Sequence, residues 1–259
     1  MASPRGRRLP LKLHRRLVCD LLSFAKRIPS IPVQRTMNLR PLQLARAAAP
    51  QSISWTVLFL KAYALVAREF AAIRQSYMPF PFAQLYEHPF SIGSVTLERD
   101  YDGEPAIFMP QFSRAEDRPL TELDAQMRAF RSAPVEEFKK FRRALFVARL
   151  PGFVRHALWW LALNISGKAR AHHLGTFVLS VYSALGAESL HPLTPLTTTV
   201  NYGVIDADGT VTVRIVYDHR VMDGATVARA LARLEAVLND DIARELRDLA
   251  AASSERRAG

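Results

Sequence analysis

Leu13, Leu17, Leu21 and Phe24 recur at the spacing of one helix face, which predicts a helix over about 11–27. Pro29 and Pro32 stop it. Residues 33–39 read as a short strand, and Pro41 stands where a first helical turn tolerates proline, so 42–49 reads as a helix. An apolar stripe from Ile53 to Ala72, opened by Ser54 as a cap, predicts a long helix buried on more than one side. Pro79, Pro81 and Pro89 then break a loop. Alternation over 91–98 and 106–112, around the turn Tyr101-Asp102-Gly103-Glu104, predicts a hairpin.

Helical periodicity resumes over 121–130, with acids early and Arg128 late, as the helix dipole favours. Residues 135–173 read as largely helical and basic, interrupted at Pro151-Gly152. The last third turns to strands over 176–182, 196–205 and 210–217; the latter two are joined by Asp206-Ala207-Asp208-Gly209, whose glycine supplies positive φ. A helix follows over 226–238, with Val227, Ala230, Leu231, Leu234 and Val237 on one side. The pattern divides the chain into a flexible basic leader at 1–10, one domain at 11–240, and a polar tail at 241–259 that continues as a helix and frays.

With 49% hydrophobic residues, a chain of 259 residues can bury a sizeable core. Its longest candidate span, Ala157 to Leu163, is far too short to cross a bilayer. The single cysteine, Cys19, excludes an internal disulfide or a multi-cysteine metal cluster and suits a reducing, cytoplasmic location. Its apolar helical surroundings predict a packed core thiol. The net charge of +11 is concentrated: residues 1–50 hold 11 Lys/Arg against Asp20 alone, and the rest hold 24 bases against 23 acids. Three readings fit that basic start: a nucleic-acid or membrane arm, an organellar transit peptide, or an ordinary basic helix behind a short leader. The spacing over 13–24 favours the helix, and no interleaved basic and aromatic pattern supports nucleic acid. Trp159 and Trp160 fit a core or subunit contact, or a membrane surface.

The chemistry concentrates in Asp218-His219-Arg220-Val221-Met222-Asp223-Gly224, between the last strand and the last apolar helix. A histidine at a strand end is held by rigid backbone yet open to a cleft, and an unperturbed pKa of about 6.5 suits proton transfer. Asp223, at the helix start, can accept hydrogen bonds from free backbone N–H groups, and Gly224 permits close approach of another group. Residue types alone leave both a structural and a catalytic His219 open. His172 and His173 lack a cysteine or acidic partner at metal-binding spacing and read as a solvated helix end, so no metal is expected. Lys139, Lys140, Arg142 and Arg143 read as a solvated helix face.

That turn resembles the active-site motif of the dihydrolipoamide acyltransferases of 2-oxoacid dehydrogenase complexes, within the chloramphenicol acetyltransferase-like superfamily. Condensation domains use a related His-His-x-x-x-Asp-Gly, whereas the first position here is Asp218. Gly175-Thr176-Phe177-Val178-Leu179-Ser180 is similar to the family's Gly-Thr-Phe-Thr-Ile-Ser strand, and residues 15–32, 37–39 and 53–70 extend the resemblance over roughly 11–240. The resemblance implies an α/β two-layer sandwich with a mixed sheet, assembled as a homotrimer or a multiple of trimers. It implies His219 as the base that deprotonates a thiol, Ser180 as oxyanion donor, Asp223 as organiser of the loop, and coenzyme A as substrate. It also implies that histidine and serine meet across a subunit boundary. The chain departs from the family in having no lipoyl attachment site, no Ala/Pro linker and no peripheral-subunit-binding domain. A lipoylated carrier protein would then act in trans, or the acceptor is another thiol, a hydroxyl or an amine. The alternative is a non-catalytic trimeric scaffold that recruits partners through its basic arm.

Overall fold

Strands from opposite ends of the chain meet at one side of the sheet. The computed structural model describes residues 6–258; residues 1–5 of the expected leader lie outside the described residues. Helix α1 (Leu13–Ala25) leads into β1 (Ser30–Asn38), α2 (Arg40–Ala48) and α3 (Trp55–Glu69). The middle third holds β2 (Gln75–Met78), β3 (Gln84–Glu87), β4 (Ile92–Val95), β5 (Leu97–Tyr101), β6 (Glu104–Phe108), β7 (Gln111–Ser113) and α4 (Leu120–Ser132). Helices α5 (Lys139–Arg149), α6 (Gly152–Asn164) and α7 (Gly167–Leu174) precede β8 (Phe177–Leu179), β9 (Thr198–Tyr202) and β10 (Thr210–Asp218). Helix α8 (Gly224–Val237) passes through a π-helical turn, Leu238–Ile242, into α9 (Ala243–Ala258).

The six-stranded sheet runs β1-β10-β9-β8-β4-β7. It is mixed: β8 is parallel to both β9 and β4, and the other pairs are antiparallel. Along β10, Val211, Val213, Ile215 and Tyr217 enter the main core, while Arg214 and Asp218 belong to the opposite face, as the two-residue period requires. That core is closed by α2, α3, α4, α8 and the start of α9, which gives the two-layer α/β sandwich. Helix α3 is buried nearly all round. Its close approach depends on Gly93 of β4, where a Cβ would stand 2.4 Å from Leu60 Cδ1 and 2.7 Å from Phe177 Cζ. On the other face Arg214 donates to Gln34 Oε1 and Ser189 O, so part of the segment between β8 and β9 lies over the sheet.

Several expectations are refined. Each arm of the expected hairpin is divided: β4 and β7 join the large sheet, whereas β5 and β6 form a ribbon of their own. The break falls at Thr96, whose backbone N–H donates to Leu179 O of β8, and at Pro110, which has no N–H. The proline-rich loop contains the β2–β3 ribbon. Cys19 is exposed rather than packed, because Leu13 and Leu17 turn toward the small cluster around Phe108 and Phe141. Gly209 adopts φ 88°, as its turn demands, and Lys139, Lys140, Arg142 and Arg143 are exposed on α5. Beyond residue 240, Ile242, Ala243 and Leu246 are fully buried. Glu245 accepts from Lys61 Nζ at 2.5 Å and from the Leu120 N–H at 2.8 Å, tying α9 to α3 and α4. No helix among the described residues is long and apolar enough to cross a membrane.

Candidate active site

β10 carries Asp218 to its last position, fully buried, where its N–H donates to Thr197 O at 2.9 Å. Its carboxylate grips the next turn. Oδ1 accepts from the Arg220 backbone N–H at 3.0 Å and from Arg220 Nε at 2.9 Å, and Oδ2 accepts from the guanidinium at 2.7 Å. The Val221 N–H closes back on Asp218 O at 3.0 Å, and the far side of the guanidinium lies over the Tyr77 ring, 4.3 Å from its centroid. Charge-assisted bonds of this kind are the strong ones, so a buried carboxylate fixes the backbone that presents His219.

The His219 backbone N–H donates to Pro29 O at 3.1 Å, which locks the turn to the chain just before β1. The imidazole is thereby held by backbone on both sides and left open, 43% exposed. Its Nδ1 faces Asp223 Oδ1 at 3.8 Å, within electrostatic reach but beyond hydrogen-bond distance. Asp223 occupies the N-cap position of α8, yet its side chain makes no capping bond and is 85% exposed, so the expected pinning of the turn falls to Asp218 instead. Burial, with Asp223 adding to it, pushes the Tyr217 phenol up, and that ring stands 5.6 Å from the imidazole. Gly224 is not under steric pressure, since a Cβ there would make an ordinary 3.4 Å contact with the Tyr217 hydroxyl.

Ser180 follows the last residue of β8, buried at 3% exposure, with its N–H donating to Val200 O at 3.0 Å. Leu179, Val200 and Ile215 stand level across β8, β9 and β10. Ser180 lies one position beyond that level, and His219 four positions beyond it in the opposite direction. At roughly 3.3 Å per residue and 4.8 Å per strand, the two are about 19 Å apart within one chain. The sheet therefore brings His219, Asp218 and Asp223 together and leaves Ser180 at its other end.

The partnership of Asp218 with Arg220 carries no distinguishing signal in the sequence beyond the two letters of the motif, and its role in presenting His219 is visible only in three dimensions. His172 and His173 face solvent at the end of α7, their rings 5.1 Å apart. Among the described residues no group of three or more His, Cys, Asp or Glu side chains could hold a metal ion.

A mixed six-stranded sheet with helices packed over its core face is the fold this chain shares with the chloramphenicol acetyltransferase-like acyltransferases, and here the histidine turn follows β10 and leads into α8. Solved structures agree. A probable dihydrolipoamide acetyltransferase from Listeria monocytogenes superposes with a TM-score of 0.64 at 17% identity, covering 90% of this chain and 94% of that one. The Azotobacter vinelandii dihydrolipoamide acetyltransferase gives a TM-score of 0.63 at 18% identity, covering 91% and 92%. Chloramphenicol acetyltransferase gives 0.55 at 14% identity, covering 87% and 94%. No family model and no curated protein sequence matches the chain. At these identities the likeness shows the fold, and the reading of the site rests on its own residues.

Proposed function

We propose that the protein is an acyltransferase that moves an acyl group between coenzyme A and a thiol, hydroxyl or amine acceptor. The observation that carries this reading is the open imidazole of His219, held rigidly at a strand end by Asp218 and Pro29 in a fold shared with acyltransferases. With Nδ1 toward Asp223, Nε2 is the ring nitrogen left to take the proton of the attacking thiol. The thiolate adds to the thioester carbonyl, and the tetrahedral oxyanion accepts a hydrogen bond from the Ser180 hydroxyl. Collapse expels the second thiolate, which recovers the proton from the imidazolium. An oxyanion donor contributes about 3 kcal/mol in comparable sites.

Because His219 and Ser180 of one chain are so far apart, the working site pairs His219 of one copy with Ser180 of a neighbour, in a homotrimer or a multiple of it. A related structure is the cubic core of the pyruvate dehydrogenase multienzyme complex, which supports a symmetric assembly here. In the Azotobacter enzyme, whose catalytic serine, histidine and asparagine were investigated, the histidine and asparagine stand four positions apart, as do His219 and Asp223. A lipoylated carrier acting in trans is one acceptor that fits, in a cytoplasmic setting. The test is thiol release from a panel of acyl-coenzyme A donors and acceptors, run beside His219→Ala. A loss of at least about a hundredfold is expected. Equal rates for the two proteins remove the catalytic assignment.

A further inference from the structure

A cavity of about 240 Å³ opens between the end of α1, β2, α6 and the end of the β8–β9 segment at Pro195. Its walls combine two chemistries. Phe24, Trp160 and Tyr77 supply apolar and aromatic surface, while Arg27, Arg170 and Arg220 bring three guanidinium groups, and no carboxylate lines it among the described residues. Arg27 is on the rim, exposed and 5.7 Å over the Phe24 ring; Arg220 is the partly exposed residue that stacks on Tyr77. Arg170 is different. It is 4% exposed, its two terminal nitrogens donate to Tyr77 O and Pro195 O, and its buried Nε has no partner.

A buried charge persists only where something compensates it, and an unpaired buried donor is costly. The nearest negative group is Asp218, whose carboxylate is already committed to the side chain and backbone of Arg220. Burial holds the Arg170 guanidinium down at about 10; Asp218 pulls it up and Arg220 opposes that pull. One carboxylate thus serves two buried or half-buried cations, Arg170 and Arg220, beside an open cavity that Arg27 also lines. The carbonyl partners explain how Arg170 is positioned but supply no counter-charge. A volume below the usual range for drug-sized ligands admits a small acid, not a whole nucleotide cofactor.

We propose that this pocket binds a small organic acid, a carboxylate or phosphate monoester on a short flat or apolar body, with its anionic end between Arg170 and Arg220 and its body against Trp160 and Phe24. The N–H groups of Arg170 and Arg220 that the carbonyls and Asp218 leave over can donate to either oxyanion, and the aromatic walls select against bare inorganic ions. The site goes beyond the acyl-transfer reading and does not require it, so a failure here leaves the thiol-release assay with His219→Ala untouched.

Calorimetric titration of the full chain with benzoate, phenyl phosphate, inorganic phosphate and uncharged benzamide tests the proposal. Benzoate or phenyl phosphate is expected to bind at least tenfold more tightly than benzamide, the two arms deciding which acid is preferred. Arg27→Gln, a rim change with unaltered thermal unfolding, is expected to weaken that acid at least threefold, and Arg170→Met to abolish its binding. The proposal is overturned by equal binding of benzamide and both acids, or by inorganic phosphate matching phenyl phosphate with no benzoate bound. It is equally overturned by Arg27→Gln binding the acids as the parent does.

Discussion

Ser180 and His219 occupy opposite ends of the same sheet, one buried at the close of β8 and the other open at the close of β10. A base and an oxyanion donor must both reach one carbonyl, within hydrogen-bond distance of the reacting atoms. A single copy cannot arrange that.

Two inactive variants should therefore repair each other. His219→Ala and Ser180→Ala proteins, each assayed alone, are expected to lose at least about a hundredfold in thiol release. Unfolded together in equal amounts and refolded, random mixing in a closed ring leaves about a quarter of the sites with both groups intact. Recovery of activity near that level supports the shared site; a mixture no better than its components rules it out.

Asp218 is the buried carboxylate on which the turn depends. Asp218→Asn removes the charge opposite Arg220 and is expected to lower unfolding free energy by about 2–3 kcal/mol, less than a fully dry pair because Arg220 is 32% exposed. Activity should fall with it, since His219 loses its rigid mount. Urea unfolding and thiol release measured on one preparation check both parts, and a fully stable variant contradicts this role.

His88 supplies a pH dependence. Burial, with Arg170 and Arg74 adding to it, pushes its imidazole down to about 4, and it shares a 2.9 Å hydrogen bond with Ser76. Unfolded, it takes up its proton at about pH 6.5. The folded form binds that proton only near pH 4, so stability present above pH 6.5 is lost as pH falls through that window. The loss between pH 7 and 4.5 is about 2 kcal/mol for this residue. Urea unfolding at both pH values should show a smaller drop for His88→Gln; an identical drop in both proteins excludes His88 as the source.

Glu245 anchors the last helix. Removing its side chain leaves Lys61, only 8% exposed, without its partner, and frees the Leu120 N–H. Glu245→Ala is expected to cost about 3 kcal/mol. Chemical denaturation measures it, and a change below about 0.5 kcal/mol, the usual size for a surface site, would show that the contact carries little.

Much of the scaffold is legible in the chain because period and punctuation agree. The stripe in α3, the alternation in β10 and Gly209 each point to one local structure, and each forms. What escaped is decided by distant partners. Nothing near Thr96 reveals that its N–H belongs to Leu179, so two strands on either side of it read as one. Cys19 and His14 lie on the same helix; Tyr101 and Glu104 cover the histidine, and with Leu13 and Leu17 turned to the Phe108 cluster the cysteine is left exposed. The polar composition after residue 240 conceals Ile242 and Leu246, too few to set a period yet fully buried. At the site, His219 is readable from its motif. The ion-paired Asp218 beside it, and the surplus of positive charge around Arg170, emerge only when α7, β2 and β10 are brought together.

The pairing of β1 with β10, from Ser30 opposite Asp218 to Asn38 opposite Thr210, also has a consequence in time. During synthesis β1 leaves the ribosome early, and its hydrogen-bonding partner follows only after nearly two hundred further residues, some ten to forty seconds later at ordinary elongation rates of about 5–20 residues per second. Through that interval α3 has emerged while the elements that complete its cover, Phe177 of β8, Tyr202 of β9 and helix α8, do not yet exist. The buried face of α3 is therefore only partly covered, by β4 and α4, until the last third of the chain has been made.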